Sequence, residues 1–279
     1  MNGVEQAQQA ERFRTMHRGP SLLLLPNAWD ALSARIFAAA GFAAIATTSG
    51  GVSWAIGYAD GEAAPWAEVV PATRRIVRAV PVPVTADIEA GFGDTPDAVG
   101  KSVREIIGAG AVGVNLEDGT PRRAAPIRTI ADAAERIRAA REAANAAGVP
   151  IVINARTDLY LRNIGDPAAR FDEAVERAKA YLAAGADCFY PIGLADPETI
   201  GRLVKALAAP INVNVRAGSP SVAELESLGV ARASTASQIA LMAAATARQI
   251  AEQLKTTGRF DALKPAMTQA DAQRLFIGG

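Results

Sequence analysis

One pattern recurs along the chain and limits what it can become: a helix-like block closes on a glycine, and a β-rich apolar strand follows after a short turn. It occurs at Gly41, Gly110, Gly148, Gly185 and Gly229. Each glycine stands where a helix end needs a residue that tolerates left-handed backbone. The units are about 40 residues long, and the first interval holds two, because segment 80–89 is another strand entered through Pro81 and Pro83. Segments 22–27 and 210–215 bring the count to eight strands.

Helix starts lie between the strands. Thr95-Pro96-Asp97 and Asp196-Pro197-Glu198 each place a cap residue, a proline at the first helical position and an acid in the first turn. Behind them, Val99, Val103, Ile106 and Ile107, then Ile200, Leu203, Val204 and Leu207, form single apolar stripes. The strands are apolar on nearly every residue, as strands covered on both faces of a parallel sheet should be. Eight βα units predict an α/β fold, a (β/α)8 TIM barrel, with a doubly wound open sheet as the alternative. Residues 4–17 read as an extra N-terminal helix, and 259–279 as a C-terminal helical extension with a short amphipathic helix after Pro265. No low-complexity linker divides the chain, so 1–279 reads as one domain with its barrel core at about 20–255.

Composition narrows the chemistry. The 29 Lys+Arg residues balance 29 Asp+Glu, which gives no electrostatic reason to expect nucleic acid or an anionic membrane as partner. One cysteine, Cys188, excludes an intramolecular disulfide framework and a Cys-based metal cluster, and fits a reducing cytoplasm. No targeting segment is visible, and the apolar stretches fall short of the ~20 residues of a membrane span. The one histidine, His17, reads as a surface residue of the N-terminal helix, and Cys188 as a small buried core thiol. None of the lysines (Lys101, Lys179, Lys205, Lys255 and Lys264) falls at a strand end, which disfavours Schiff-base chemistry. Carboxylates, arginines or a metal must carry any reaction. Gly108 to Gly113 matches G-x-G-x-x-G, but it runs from helix to strand, whereas a dinucleotide fingerprint runs from strand to helix.

In a barrel of this kind, function gathers where strands end. Those positions hold Asn27 and Asp30, then Ser49-Gly50-Gly51, Asp87 and Glu89, Glu117 and Asp118, Arg156 and Asp158, Tyr190, Asn214 and Arg216, and Ser234 and Thr235. Asp87 and Glu89, two apart on strand three, are expected to point the same way into the barrel mouth. With Glu117 they make an oxygen-only site suited to Mg²⁺, with Mn²⁺ as a substitute, and unsuited to zinc. The alternative is that Asp87 and Glu89 cap helices or pair with Arg156. On the metal reading, Arg156 is a fork for a substrate carboxylate. The segment from Ser49 to Trp66 reads as a long lid-like loop holding Trp54, Tyr58 and Asp60; Asp60 could come down over the site as acid, base or orienting group, or be a plain Asp-Gly turn. The Arg122-Arg123 pair reads equally as an anion grip or a solvated turn.

The runs Pro26-Asn27-Ala28-Trp29-Asp30, Thr48-Ser49-Gly50-Gly51, Ala86-Asp87-Ile88-Glu89-Ala90-Gly91-Phe92-Gly93, Asn115-Leu116-Glu117-Asp118 and Asn154-Ala155-Arg156-Thr157-Asp158 resemble, in order, the isocitrate lyase/phosphoenolpyruvate mutase superfamily. The resemblance implies a (β/α)8 barrel, commonly tetrameric, whose last helix is often exchanged between subunits. It implies Mg²⁺-dependent formation or cleavage of C–C or P–C bonds in small 2-oxo or 2-hydroxy carboxylates, through an enolpyruvate-like intermediate. By motif, Asp87 approaches the metal most closely, with Glu89 and Glu117 acting partly through water. Ser49, Gly50 and Gly51 bind a carboxylate or oxyanion, Arg156 holds substrate, and Asp60 matches the acid on the strand-two loop. Tyr58 on that loop joins Asp60 and Arg156 as candidate catalytic residues; Trp29 and Asn214 join the substrate-binding set.

Two departures narrow the activity that the resemblance implies. Isocitrate and methylisocitrate lyases carry Lys-x-Cys-Gly-His after strand four, where this chain has Gly119 to Pro126 with neither Cys nor His. The mutase and phosphonopyruvate hydrolase branch carries an Asn on a Lys-containing loop there and a His at the end of strand six, where this chain has Phe189-Tyr190-Pro191-Ile192. The expectation is a less specialised member: a cytoplasmic, homo-oligomeric, Mg²⁺-dependent C–C lyase acting on an oxaloacetate- or methylisocitrate-like carboxylate. The alternatives are a P–C bond enzyme or a non-catalytic 2-oxo acid binding protein.

Overall fold

The computed structural model describes residues 2–120, 126–264 and 267–277. Helix α1 (Gly3–Met16) precedes an alternating series: β1 (Leu23–Leu25), β2 (Asn27–Ala28), α2 (Ala31–Ala39), β3 (Ile45–Thr47), α3 (Ser49–Ala55), α4 (Trp66–Ala79), β4 (Val84–Asp87), α5 (Pro96–Gly108), β5 (Gly113–Glu117) and α6 (Ile130–Ala146). It continues through β6 (Val152–Thr157), α7 (Arg170–Ala183), β7 (Cys188–Pro191), α8 (Pro197–Leu207), β8 (Asn212–Asn214), α9 (Val222–Ser227), β9 (Arg232–Ser234) and α10 (Gln238–Thr257), and α11 (Gln269–Arg274) follows.

Every strand pairing is parallel, in the orders β2-β3-β4-β5-β6-β7 and β1-β9-β8. The two sheets join at both edges. β1 and β2 are one strand interrupted at Pro26, which has no N–H to donate to a ladder; its first half pairs with β9 and its second with β3. At the other seam Phe189 and Ile211 form a parallel bridge, and the Phe189 N–H donates to the Pro210 carbonyl at 2.9 Å. The result is the expected (β/α)8 barrel, with strands three to eight of the sequence reading appearing as β4 to β9.

The glycines that ended the helical blocks have the backbone their positions require: φ is +89° at Gly41, +96° at Gly110, +66° at Gly148, +109° at Gly185 and +82° at Gly229. The caps form as read, with the Thr95 hydroxyl accepting the Ala98 N–H and the Asp196 carboxylate accepting the Thr199 N–H. Val99, Val103, Ile106 and Ile107 are buried.

Two expectations about local structure change. The segment after strand two does not open as a loop: Ser49–Ala55 is helical, started by the Thr48 hydroxyl accepting the Gly51 N–H, and the irregular part is 56–65. His17 is not a surface residue. It is 4% exposed, its ring meets Phe13 edge-on at 4.8 Å, and its Nδ1 lies 2.9 Å from the Phe13 carbonyl. The reason is tertiary. α1 closes the N-terminal end of the barrel with Phe13, and the helix cap carrying His17 is drawn in with it. Cys188 is fully buried, as read. Among the described residues no helix is long and apolar enough to cross a membrane.

Candidate active site

Register brings the strand-end residues together. Asp87 lies opposite Asn115 on β4 and β5, Glu117 opposite Arg156 on β5 and β6, and Arg156 opposite Tyr190 on β6 and β7. Directly opposed residues on neighbouring strands project from the same face of the sheet. The Glu117 carboxylate therefore meets Arg156, with Oε2 at 2.7 Å from Nη1. Asp158, also on the candidate ring, takes the Arg156 Nε–H at 2.8 Å. The guanidinium reads less as an open fork than as a cation already held between two acids. Burial lowers its pKa, but Glu117, Asp158 and Asp87 raise it further, so it stays charged.

Asp87 ends β4. Its backbone N–H donates to the Thr47 hydroxyl at 2.9 Å, and its carboxylate accepts the Glu89 N–H at 3.1 Å. That second bond belongs to a tight turn of the Asx kind, and it puts Glu89 beyond the strand at φ +51°. The expectation that alternation along one strand aligns Asp87 and Glu89 is thus corrected: the strand stops between them, and a left-handed turn sets Glu89's direction. Its carboxylate accepts the Glu62 N–H at 2.7 Å.

Burial raises the pKa of Asp87, against the nearby Arg156 charge. Burial, then the charges of Asp60 and Asp87, push Glu89 up to about 8. Burial raises Glu117 well above the carboxylate range despite Arg156, with Asp158, Asp87 and Glu89 adding to the rise. The three candidate metal ligands thus lie within electrostatic reach of one another. They do not form a closed cage: among the described residues no group of three His, Cys, Asp or Glu is positioned to hold a metal ion. The donor set, all carboxylate and mutually repelling, suits a hard divalent cation that keeps much of its water and takes few direct protein ligands, which is the habit of Mg²⁺.

The remaining candidates divide between site and periphery. Ser49, Gly50 and Gly51 form the first turn of α3. Space is tight there: a Cβ on Gly51 would lie 2.7 Å from Trp29 Cβ, and one on Gly50 would lie 3.2 Å from an Asp60 carboxylate oxygen. The lid acid is therefore already down over Gly50, with Trp29 beside Gly51. Tyr58 faces elsewhere, its hydroxyl donating to Glu68 at 2.7 Å. Asn214 ends β8, with its side-chain amide nitrogen buried and without a hydrogen-bond partner among the described residues. Asp30 caps α2 by accepting the Ser33 N–H at 2.7 Å. Arg122 and Arg123, with most of the strand-four loop, lie outside the described residues.

Asp118 leaves the mouth for a buried network. One oxygen accepts the Asp158 N–H at 2.9 Å; the other accepts the Tyr181 hydroxyl at 2.7 Å and Arg177 Nη1 at 3.1 Å. It fixes the backbone of a residue that grips Arg156. Arg177 and Tyr181 escaped the sequence reading because they sit on α7, where their side chains reach the loops from outside the barrel. Glu62, which binds Glu89, escaped it too, since no spacing rule marks a loop residue after Asp60-Gly61.

The family described as phosphoenolpyruvate phosphomutase matches residues 13–255. An uncharacterized protein of Mycobacterium tuberculosis is 35% identical over 81% of this chain and 81% of its own length. The crystal structure of a Burkholderia cenocepacia J2315 protein, assigned only as a lyase/mutase, superposes with a TM-score of 0.90 at 37% identity, over 97% of each chain. The structure of 2,3-dimethylmalate lyase, a member of the PEP mutase/isocitrate lyase superfamily, gives a TM-score of 0.85 at 28% identity over 96% of this chain and 94% of its own. With eight parallel βα units ending in a ring of acids around one arginine, the chain belongs to the phosphoenolpyruvate mutase family, within a superfamily of lyases and mutases.

Proposed function

We propose that the protein is a Mg²⁺-dependent lyase that cleaves a C–C bond of a small 2-oxo or 2-hydroxy carboxylate and releases pyruvate or a related 2-oxo acid through an enolpyruvate-like intermediate. The observation that carries the proposal is Asp87 at the end of β4, facing the buried Glu117–Arg156 pair on the next two strands. Asp87 would hold the metal directly, with Glu89 and Glu117 acting through water. Bound there, Mg²⁺ would supply Lewis-acid stabilisation of negative charge developing on the substrate oxygen.

The chain's own residues do the rest. Arg156 keeps a fixed positive charge below the site and, with Nε and Nη1 committed to Asp158 and Glu117, offers its remaining nitrogen to a substrate carboxylate. The Ser49 hydroxyl and the Gly50 N–H, in a first helical turn whose amides lack intrahelical acceptors, take the other end of the substrate, while the Gly51 N–H is held by the Thr48 hydroxyl and keeps the turn in place. Gly50 and Gly51 let that turn pack directly against Asp60, Trp54, Thr48 and Trp29, which a side chain at either position would push away. Trp29 and the Asn214 amide line the same mouth. Asp60, over Gly50, acts on the bound substrate as general acid, general base or orienting group; Tyr58 serves by anchoring the lid on Glu68.

Named relatives support small carboxylates as the substrate class. They include 2-methylisocitrate lyase of Bacillus subtilis, 28% identical over 75% of this chain, and oxaloacetate acetylhydrolase solved with oxalate, 26% identical with a TM-score of 0.85. The phosphoenolpyruvate phosphomutase of Streptomyces hygroscopicus, 29% identical over 92% of this chain, supports P–C chemistry as the second reading. The test is a panel of oxaloacetate, 2-methylisocitrate, substituted malates and phosphonopyruvate, read as 2-oxo acid release with Mg²⁺ and with EDTA. EDTA-sensitive turnover of a C–C substrate is expected. Turnover of phosphonopyruvate alone would favour the second reading, and turnover of none, with oxalate plus Mg²⁺ still raising the melting temperature, would favour a 2-oxo acid binding protein.

We take 1–279 as one domain of a cytoplasmic homotetramer. Only Ala240 of α10 is buried, while Leu241 and Met242 stand exposed, which supports a last barrel helix that packs on another subunit.

A further inference from the structure

The lid is tied to the carboxylate turn by one residue that bonds in both directions. The Glu62 N–H donates to Glu89 Oε2 at 2.7 Å, and Glu62 Oε1 accepts the Phe92 N–H at 2.7 Å. All three residues have left-handed backbone without being glycine: φ is +57° at Glu62, +51° at Glu89 and +50° at Phe92. Such backbone is unfavourable for a residue with a Cβ and persists only where its surroundings hold it. Here each strained residue is held by another. Glu89 is gripped further by its N–H on Asp87 and by its carbonyl, which accepts the Glu117 N–H at 2.9 Å. Behind Phe92, the Trp66 ring packs at 4.7 Å, and its indole N–H donates to Glu105 at 2.7 Å, fixing the far end of the lid. Two acids side by side repel; each here is satisfied by a backbone amide of the other's segment, so the arrangement depends on both segments being in place.

We infer that Glu62 is a positioning residue: its two-way bond to Glu89 and Phe92 makes seating of the strand-two lid and the left-handed turn after Asp87 a single event, so that Asp60 reaches Gly50 only when Glu89 is in place. The consequence for turnover rests on the proposed lyase reading; the coupling of the two segments does not.

The test uses the full chain and two variants. Glu62→Ala removes the acceptor for Phe92 while keeping the Glu62 N–H; Glu62→Gln keeps an acceptor oxygen. Hydrogen exchange is measured without metal or substrate. In Glu62→Ala the Phe92 amide should exchange about tenfold faster than in the wild type, with lid segment 57–64 loosened alongside it, and the melting temperature should fall by only about 2 °C. Glu62→Gln should restore protection to within about threefold of the wild type. Unchanged Phe92 exchange in Glu62→Ala, or loosening at Phe92 without loosening of 57–64, overturns the inference. Activity is the second arm, read as Mg²⁺-dependent 2-oxo acid release from whichever panel compound turns over. There Glu62→Ala should lower kcat at least tenfold with little change in KM, and Glu62→Gln should recover it. Loosening without a fall in kcat refutes the catalytic consequence. A wild-type protein inactive on the whole panel refutes the lyase reading and leaves the exchange experiment to decide the coupling.

Discussion

The buried histidine gives a stability signature that can be worked through in numbers. His17 Nδ1 lies against the Phe13 carbonyl, which can only accept, so Nδ1 carries a hydrogen and the neutral ring is the Nδ1–H tautomer. Burial, together with the positive charges of Arg232, Arg14 and Arg18, lowers its pKa from 6.5 to about 3, against the raising effect of the Phe13 hydrogen bond. The sign follows from proton binding. The unfolded chain takes up a proton below 6.5 and the folded chain only below about 3, so stability is lost as pH falls through that window. The loss is about 1.4 kcal/mol per pH unit below 6.5, or about 2 kcal/mol between pH 7 and pH 5.

Glu89, raised to about 8, acts in the opposite sense over the same range, since its ionised form is disfavoured in the fold and stability returns as pH falls. The readout is therefore the difference between the wild type and His17→Asn, whose amide can still donate to the Phe13 carbonyl. Thermal unfolding of both in EDTA, at pH 7 and pH 5, should show the wild type losing about 3 °C more than the variant. Parallel losses, agreeing within about 1 °C, would mean that His17 is accessible to protons in the folded state and that α1 does not seal the barrel.

Three further outcomes follow from the packing. A Cβ on Gly51 would stand 2.6 Å from Thr48 Cγ2 and 2.7 Å from Trp29 Cβ, so Gly51→Ala should cost about 1–3 kcal/mol in urea unfolding; a neutral result would show that this turn has slack. Tyr181→Phe removes a hydroxyl that donates to Asp118 and accepts from Arg177, and should cost about 2 kcal/mol by the same assay, with a change under about 0.5 kcal/mol counting against the network. Cys188 is fully buried and its thiol is pushed up to about 12 by that burial, so Ellman's reagent should label it only after denaturation; fast labelling of the native protein would place the thiol at the surface.

The barrel was legible because its signals are local. A helix that ends on Gly110 or Gly185 and turns into an apolar strand needs only backbone geometry to be read, and those glycines carry the expected positive φ. Asp87, Glu117 and Arg156 were legible for a related reason, as charged residues ending otherwise apolar strands. What depended on contacts between distant segments was not. His17 lies on a polar-looking helix, and only the barrel floor it closes makes it a core residue. Glu89 looked like the next residue on one face of a strand until the Asp87 side chain ended that strand. The sequence set Arg156 among acids but could not say which would hold it; the register of β5 against β6 decides on Glu117. The Glu62 bonds join positions 27 and 30 residues apart, and no periodicity connects them.

On the proposed function, Asp87, backed by the Glu117–Arg156 pair, is where a divalent cation and a small carboxylate meet. Crystals grown with Mn²⁺ and oxalate test it directly, through the anomalous signal of the metal. One Mn²⁺ peak is expected within direct coordination distance of an Asp87 carboxylate oxygen, about 2.0–2.3 Å. Oxalate should chelate that ion, with Arg156 or the Ser49–Gly51 turn donating to it, and Asp87→Ala should abolish the peak without changing the fold. A Mn²⁺ ion bound elsewhere, or oxalate seated without metal at Asp87, would contradict it.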